Sequence, residues 1–359
     1  MTQNLFFALD LGSHSVKGIL ANIDVKNKLV DVVARAEARS SGIRRGIIFD
    51  VEDASRSIGE VLRQLEESSK KEINQVNVLI GGPCLETRFA KASIVISRPD
   101  EEIGREDERR IQEMVESLPS PQNRTVLHMI PQQGLIAANP LAVAKALVPK
   151  RDREQGVCAI DFGAETTSIT VFEEDNLVYL SVIPLGSQNI TNDIANSLQV
   201  HFDTAERIKI GFGQALASKT SKKDEIELSQ FVEGEEAVVS RKHLSEIIEA
   251  RSSEILDFVN DELKKLGKAS KLPAGAVIYG GGAELSHLNQ LVKKELKLST
   301  RKANLDHFKN YFPEDVPPQY FGAYSLVLWQ LDSIFGSRQE GFGRGLPGFM
   351  KKLWDIFVP

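Results

Sequence analysis

Two aspartates each close an apolar run and open a glycine turn: Asp10 in Leu9-Asp10-Leu11-Gly12-Ser13 and Asp161 in Ile160-Asp161-Phe162-Gly163. A third turn, Gly280-Gly281-Gly282, follows the apolar run Ala276–Tyr279. These residue types suit polyphosphate and a divalent cation. Backbone N–H groups donate to phosphate oxygens, and glycine removes the Cβ that would block the approach. Two such turns, with Ser13 and Ser15 in one and Thr166 and Thr167 in the other, can close on phosphates from opposite sides. Asp10 and Asp161, at the strand ends, are placed to hold Mg²⁺ through its waters. Gly280–Gly282 would let a base and ribose lie flat on the backbone. Singly, each is an ordinary turn. Their recurrence in one context makes them a set.

Glu206 and Lys209 are three apart on a helical stretch and share a face. They could clasp a ribose and adenine, although on sequence alone a solvated ion pair is the better account. The last residues form a separate signal. On a helical wheel Leu346, Phe349, Met350, Leu353, Trp354, Ile356 and Phe357 make one arc, with Lys351, Lys352 and Asp355 opposite. Preceded by the glycine-rich GSRQEGFGRG, which behaves as a flexible linker, this pattern describes an interfacial membrane helix rather than one docked on the protein's own core. Anionic lipids would help through Arg344, Lys351 and Lys352. One short helix binds weakly, so avidity from self-assembly is expected.

The elements that must position these groups follow from periodicity. Leu5–Leu9, Val16–Ile23 and Leu29–Ala36 are expected to form a β-meander. Asp53–Ser69 has an apolar helical face and Asp50 or Asp53 as cap, and Val76–Ile80 is a strand. Residues 84–133 change character and are expected to be a small α+β insert, with strands at Ile94–Ile96 and Thr125–Ile130 and a helix over Arg105–Ser117. Then strand, Asp-x-Gly, strand, strand returns in Val157–Ile160, Ser168–Phe172 and Leu177–Ile183, which implies an internal duplication. Helices are expected at Asn189–Leu198, Ala205–Phe212, Leu244–Leu266, Ser286–Leu296 and Tyr320–Leu331. Residues 216–243 are polar and expected on the surface.

Composition excludes several classes. A net charge of −6 over 359 residues argues against a general nucleic-acid binder. The two cysteines, Cys84 and Cys158, make no disulfide framework and fit a reduced, cytoplasmic setting. Leu5–Leu9 is too short for a signal peptide, and no run of 18 apolar residues occurs.

Four stretches resemble the FtsA family of bacterial actin homologues within the actin, Hsp70 and sugar-kinase superfamily. They are Ala8–Ser13; Ser41-Gly42-Ile43-Arg44-Arg45-Gly46 with Asp50; Ile183–Gly186 with Asn189–Ala195 and Ala205–Lys209; and Gly280–Ala283. The amphipathic tail completes the pattern. The resemblance implies an α/β, actin-like (ribonuclease H-like, duplicated) two-lobe ATPase fold with a small insert, called 1C, and a C-terminal amphipathic helix. The implied division is residues 1–83 with 134–176 as the first lobe, 84–133 as the insert, 177–335 as the second lobe, 336–345 as linker and 346–359 as membrane helix. By motif position Asp10, Gly12, Ser13 and Lys17 would form the first phosphate loop and Asp161, Gly163, Thr166 and Thr167 the second. Gly186, Glu206, Lys209, Gly280, Gly281 and Gly282 would complete the nucleotide site. ATP and Mg²⁺, head-to-tail filaments, an anionic membrane and the C-terminal peptide of the tubulin-like FtsZ are the implied cofactors and partners.

The chain departs from the family pattern in three places. The second phosphate loop carries Ala164 and Glu165 where glycines are usual, and a carboxylate there would repel a γ-phosphate unless it points away. Asn139 stands where a water-positioning Glu is usual and cannot accept a proton. The insert is short. The expectation is therefore nucleotide binding with slow or no hydrolysis. A PilM-like platform of a type IV pilus, an active Hsp70- or sugar-kinase-like ATPase and a scaffold without nucleotide are the competing readings.

Overall fold

The computed structural model describes residues 5–24, 27, 29–85, 110, 136–221, 223–231, 237–304, 308–312 and 315–336. The expected insert, apart from Cys84, Leu85 and Arg110, lies outside the described residues. So do the linker beyond Gly336 and the tail 346–359.

Strands β1 (Leu5–Leu11), β2 (Ser15–Asp24) and β3 (Leu29–Arg39) form the expected meander. Short strands β4 (Ile43–Arg44) and β5 (Ile47–Ile48) then make a hairpin. Helix α1 (Val51–Ser69) starts at Asp50, whose carboxylate accepts the Asp53 N–H at 2.9 Å. Strand β6 (Asn77–Ile80) lies parallel to β1, and β7 (Ile136–Ala138) parallel to β6. The first sheet therefore runs β3-β2-β1-β6-β7.

After α2 (Asn139–Leu147) and α3 (Lys150–Gln155) the plan repeats. Strands β8 (Val157–Phe162), β9 (Thr167–Glu173) and β10 (Asn176–Ile183) form a second meander. Helices α4 (Ser187–Leu198) and α5 (Phe202–Phe212), the pair β11 (Glu225–Glu227) and β12 (Val238–Ser240), and α6 (Arg241–Lys265) follow. Then come β13 (Ala276–Tyr279), α7 (Leu288–Leu296), β14 (Thr300–Lys302) and α8 (Phe321–Gly336). The second sheet is β10-β9-β8-β13-β14, the same order as the first. The duplication expected from the repeated Asp-x-Gly context is thus a duplication of topology.

Strand pairing corrects the lobe boundary. A division between 176 and 177 would leave β8 and β9 with the first lobe, yet β9 pairs with β10 and β8 with β13 in the second sheet. The second sheet begins at Val157, and α2 and α3 join the two.

Both faces of each sheet are buried, which is why β1 and β8 read as nearly unbroken apolar runs. Phe6, Ala8, Ile19 and Leu79 meet α2, α8 and the facing residues Val157, Ala159, Phe172 and Val277 in one core between the sheets. Phe7, Leu9 and Leu20 pack on α1, while Cys158, Ile160 and Ile169 pack on α6 and α7. Cys158 is a buried small hydrophobe, and burial pushes its thiol up to about 12. Ile190, Ile194, Ile208, Leu244 and Ile248 form a further core with Ile226 and Leu228. Residues 216–243 are therefore not simply a surface excursion. Their few apolar side chains, alternating with charged ones, seat the β11–β12 pair. No described helix is long and apolar enough to cross a membrane.

Arg153 pins the junction. Only 2% exposed, it donates from Nε to Asp175 at 2.7 Å and from Nη1 to the carbonyls of Val148 at 2.5 Å and Lys145 at 3.2 Å. One side chain thus ties the end of α2 to the β9–β10 turn. Arg153→Ala leaves two buried carbonyls and a half-buried carboxylate short of a donor, and is expected to cost roughly 2–4 kcal/mol of stability in a denaturant melt.

Candidate functional site

The two hairpins are built alike. Leu11 pairs with Val16, which leaves the turn Gly12-Ser13-His14-Ser15. Phe162 pairs with Thr167, which leaves Gly163-Ala164-Glu165-Thr166. A Cβ on Gly12 would lie 2.7 Å from the Ser15 carbonyl, and one on Gly163 2.8 Å from that of Thr166. Each turn is too tight for a side chain there. The same register puts Asp10 opposite Lys17 and Asp161 opposite Ser168, so both carboxylates stand one pair inside their turns.

These turns line one cleft of 1180 Å³ between the sheets. Asp10, Gly12, Ser13, Lys17, Asp161, Gly163, Thr166, Glu206, Lys209 and Gly280–Gly282 all reach it, as the sequence implied. Two expected residues do not line it. Thr167 is wholly buried and donates its hydroxyl to the Leu185 carbonyl at 2.9 Å. Gly186 precedes α4 and packs against the Ala164 carbonyl, so its missing Cβ lets the helix seat on the turn. Ser187 and Gln188 N–H groups then donate to Gly163 and Ala164 at 2.9 and 2.8 Å. Both residues support the second turn from behind.

Asp10 and Asp161 are largely buried at the wall of the cleft and close enough for charge to matter. Burial raises the Asp10 carboxyl above its ordinary value, against the opposing pull of Lys17 and of Asn139, whose Nδ2 donates to Asp10 Oδ1 at 2.7 Å. Burial, then the Asp10 charge, pushes Asp161 up to about 7. Each carboxylate lies against a residue without a Cβ. A Cβ on Gly280 (φ +88°) would collide with Asp161 Oδ1, and one on Gly322, in the first turn of α8, would collide with Asp10 Oδ2. Gly322 has no signal in the sequence. It is one glycine in an apolar helix, and only the fold brings it to Asp10.

Glu206 and Lys209 are not the solvated pair that spacing alone suggests. Lys209 is buried, and its ammonium donates to Glu206 at 2.7 Å, Thr191 Oγ1 at 2.8 Å and the Ser187 carbonyl at 3.2 Å. Burial lowers its pKa, with Glu206 opposing. The pair meets the cleft beside Ile190, Phe202 and Ile210, and Gly281 opens into free space. Apolar walls, a polar clasp and a bare backbone suit a nucleoside. The fit at the other end is a matter of charge. Eight acidic residues line the cleft (Asp10, Glu37, Asp53, Asp161, Glu165, Asp203, Glu206 and Glu284) against four basic ones (Lys17, Arg39, Arg44 and Lys209). A bare polyphosphate is disfavoured there, whereas one that arrives with a divalent cation fits the two buried carboxylates.

Glu165 lines the cleft with its carboxylate tied to the first lobe. Its Oε2 accepts the Arg45 N–H at 2.6 Å, and the adjacent Gly46 N–H donates to Ser13 Oγ at 2.9 Å.

Comparison with known proteins agrees with this architecture. A model of the family "Cell division protein FtsA" matches residues 158–316. The chain is 26% identical to the cell division protein FtsA of Borreliella burgdorferi, over 92% of each. It is 25% identical to that of Bacillus subtilis, over 90% of this chain and 83% of the relative. Among solved structures it resembles MreB5 of Spiroplasma citri bound to ADP, at a TM-score of 0.59, 15% identity and coverage of 95% and 99%. It also resembles a chain of the PilM–PilN type IV pilus biogenesis complex, at 0.60, 14% identity and coverage of 91% and 98%. At these identities the structures speak to the fold, which is the actin-like one.

The buried acid pair makes stability depend on pH in an unusual direction. A carboxyl whose folded pKa is raised binds its proton more tightly in the native state. The native state is therefore favoured at low pH and loses that advantage as pH rises from about 4 to about 7. Without Mg²⁺ or nucleotide, Asp161→Asn should gain stability relative to the unsubstituted chain across that range. Paired melts from pH 4 to 8 check this; a gap that stays flat with pH would refute it.

Proposed function

We propose that the chain is a member of the FtsA family of cell-division proteins, which it resembles over most of its length, and that it works as a nucleotide-operated membrane tether. It binds ATP with Mg²⁺ in the interlobe cleft, assembles head to tail on the cytoplasmic face of the membrane at the division site, and holds FtsZ filaments there by their C-terminal peptide during septum formation. The observation that supports the nucleotide half is the cleft itself. It joins two matched turns, two buried carboxylates, a bare Gly280–Gly282 backbone and a Glu206–Lys209 clasp in one space.

Asp10 and Asp161 would hold the cation, and Mg²⁺ would supply the charge that lets a polyphosphate enter. Ser13, Thr166 and the turn amides would orient the phosphates. Little catalysis is expected. A water-activating group must accept a proton, and Asn139 is a neutral amide already donating to Asp10. Phosphate release by the full chain with Mg·ATP should stay below several turnovers per minute, and steady turnover above that would sink the claim.

The membrane half rests on the sequence of the tail. Leu346, Phe349, Met350, Leu353, Trp354, Ile356 and Phe357 supply an apolar arc, and Lys351 and Lys352 attract anionic headgroups. Deleting Leu346–Pro359 should abolish co-pelleting with vesicles containing anionic lipid. Pelleting that survives the deletion would instead favour a PilM-like platform that reaches the membrane through a partner.

A further inference from the structure

We infer that Thr191 is a positioning residue for the nucleoside end of the cleft: its hydroxyl aims Glu206, and Glu206 alone of the clasp meets the ligand. The inference rests on the nucleotide reading above and deepens it at the Glu206–Lys209 clasp.

Lys209 has three protons to give, and the fold takes all three. Its ammonium donates to Glu206 Oε2 at 2.7 Å, to Thr191 Oγ1 at 2.8 Å and to the Ser187 carbonyl at 3.2 Å. No donor remains for a ligand, so Lys209 lines the cleft without reading what enters it. Thr191 is wholly buried in the second turn of α4. Having accepted from Lys209, its hydroxyl has one proton to place. The Ser187 carbonyl lies 3.3 Å away and Glu206 Oε2 2.5 Å away, and the nearer, charged acceptor takes it. Thr191 and Lys209 thus converge on one oxygen of one carboxylate.

Glu206 is left with its other oxygen. Among the described residues nothing donates to Oε1, and the side chain, 31% exposed, lines the cleft beside Phe202 and Ile210. An ionised carboxylate accepts and does not donate. The clasp therefore offers a ligand one charged acceptor, suited to a hydroxyl or amine of a nucleoside. A glutamate free on a helix surface would sample several rotamers, whereas two donors on Oε2 hold Oε1 in one.

α4 also carries the second phosphate turn, since its Ser187 and Gln188 N–H groups donate to the Gly163 and Ala164 carbonyls. Damage to the seat of α4 would loosen both ends of the site. Loss of the Thr191 hydroxyl alone would loosen only the clasp, and that difference separates positioning from general support.

The test titrates the full-length chain calorimetrically with a Mg²⁺-bound non-hydrolysable ATP analogue and with Mg²⁺-bound inorganic tripolyphosphate, which has no nucleoside. Thr191→Val keeps the shape and removes the hydroxyl. It should weaken the analogue about tenfold, in line with the worth of a hydrogen bond to a charged group, and leave tripolyphosphate within twofold. Thr191→Ala should match it, which guards against a badly packed valine. Thr191→Ser keeps the hydroxyl and should stay within threefold of the unsubstituted chain for both ligands. In a Glu206→Ala background, Thr191→Val should cost less than a further twofold, because its target is gone. Analogue affinity unchanged within twofold in Thr191→Val and Thr191→Ala, an equal loss for tripolyphosphate, or a tenfold cost that persists without Glu206 overturns this inference alone. Failure of the unsubstituted chain to bind the analogue overturns the nucleotide reading and this inference with it.

Discussion

Two carboxylates are buried within reach of each other's charge, and much of the molecule is arranged around that fact. Removing one ionised carboxylate from water costs several kcal/mol even after the protein relaxes, and a second beside it adds repulsion. The pair is tolerable only with a proton, a cation or donors. Asn139 and Lys17 supply part of this for Asp10. For Asp161, burial and then the Asp10 charge push the carboxyl up to about 7. The sheets meet where they do because equivalent strands deliver equivalent aspartates, and Gly280 and Gly322 give up their side chains so that the carboxyl groups can fit. A site that is unfavourable when empty of cation is also one whose stability responds strongly to filling it.

The duplication explains the symmetry of the cleft but not its chemistry, which comes from where the halves differ. Each turn has four residues, each with a tight glycine at its first position. The first continues Ser-His-Ser and the second Ala-Glu-Thr. The hydroxyl of Ser13 and the carboxylate of Glu165 both end on the same loop of the first lobe, the one that carries the β4–β5 hairpin. That loop links the two turns through its adjacent Arg45 and Gly46 amides. A symmetric site would grip a symmetric ligand.

The sheet plan was legible because both meanders are apolar runs stopped by Asp-x-Gly, a signal local enough for the sequence to display. Asp10, Asp161 and the Gly280 turn were legible for the same reason. What escaped was set by distance in the chain. Glu206 and Lys209 looked solvated because nothing local reports that α4 covers them through Thr191. Thr167 looked like a phosphate ligand by analogy with its neighbour, but strand alternation turns it inward to Leu185. The expected lobe boundary falls inside the β9–β10 hairpin because nothing local marks α2 and α3 as the segment that joins the sheets. Ile226 and Leu228 are single apolar residues among charges, and too few to show a period. Glu165 read as a repulsive substitution because its partner, Arg45, is 120 residues away.

In the function proposed above, weak catalysis and a strong response to ligand are compatible and would share a cause. Asn139 donates to Asp10 and so has its amide committed to holding the acid pair rather than to orienting water. The same bond lowers the cost of keeping Asp10 ionised, which favours cation binding. Binding alone can then move the molecule: a ligand at one hundred times its dissociation constant stabilises the form it prefers by about 2.7 kcal/mol, without any bond being broken. That is comparable to the coupling free energies of about 1–3 kcal/mol by which one site commonly biases another. The tether proposed above, with a short and individually weak membrane helix, would depend on assembly for its hold. In that proposal, controlling assembly by occupancy rather than by turnover would keep the attachment in place for as long as the ligand is present.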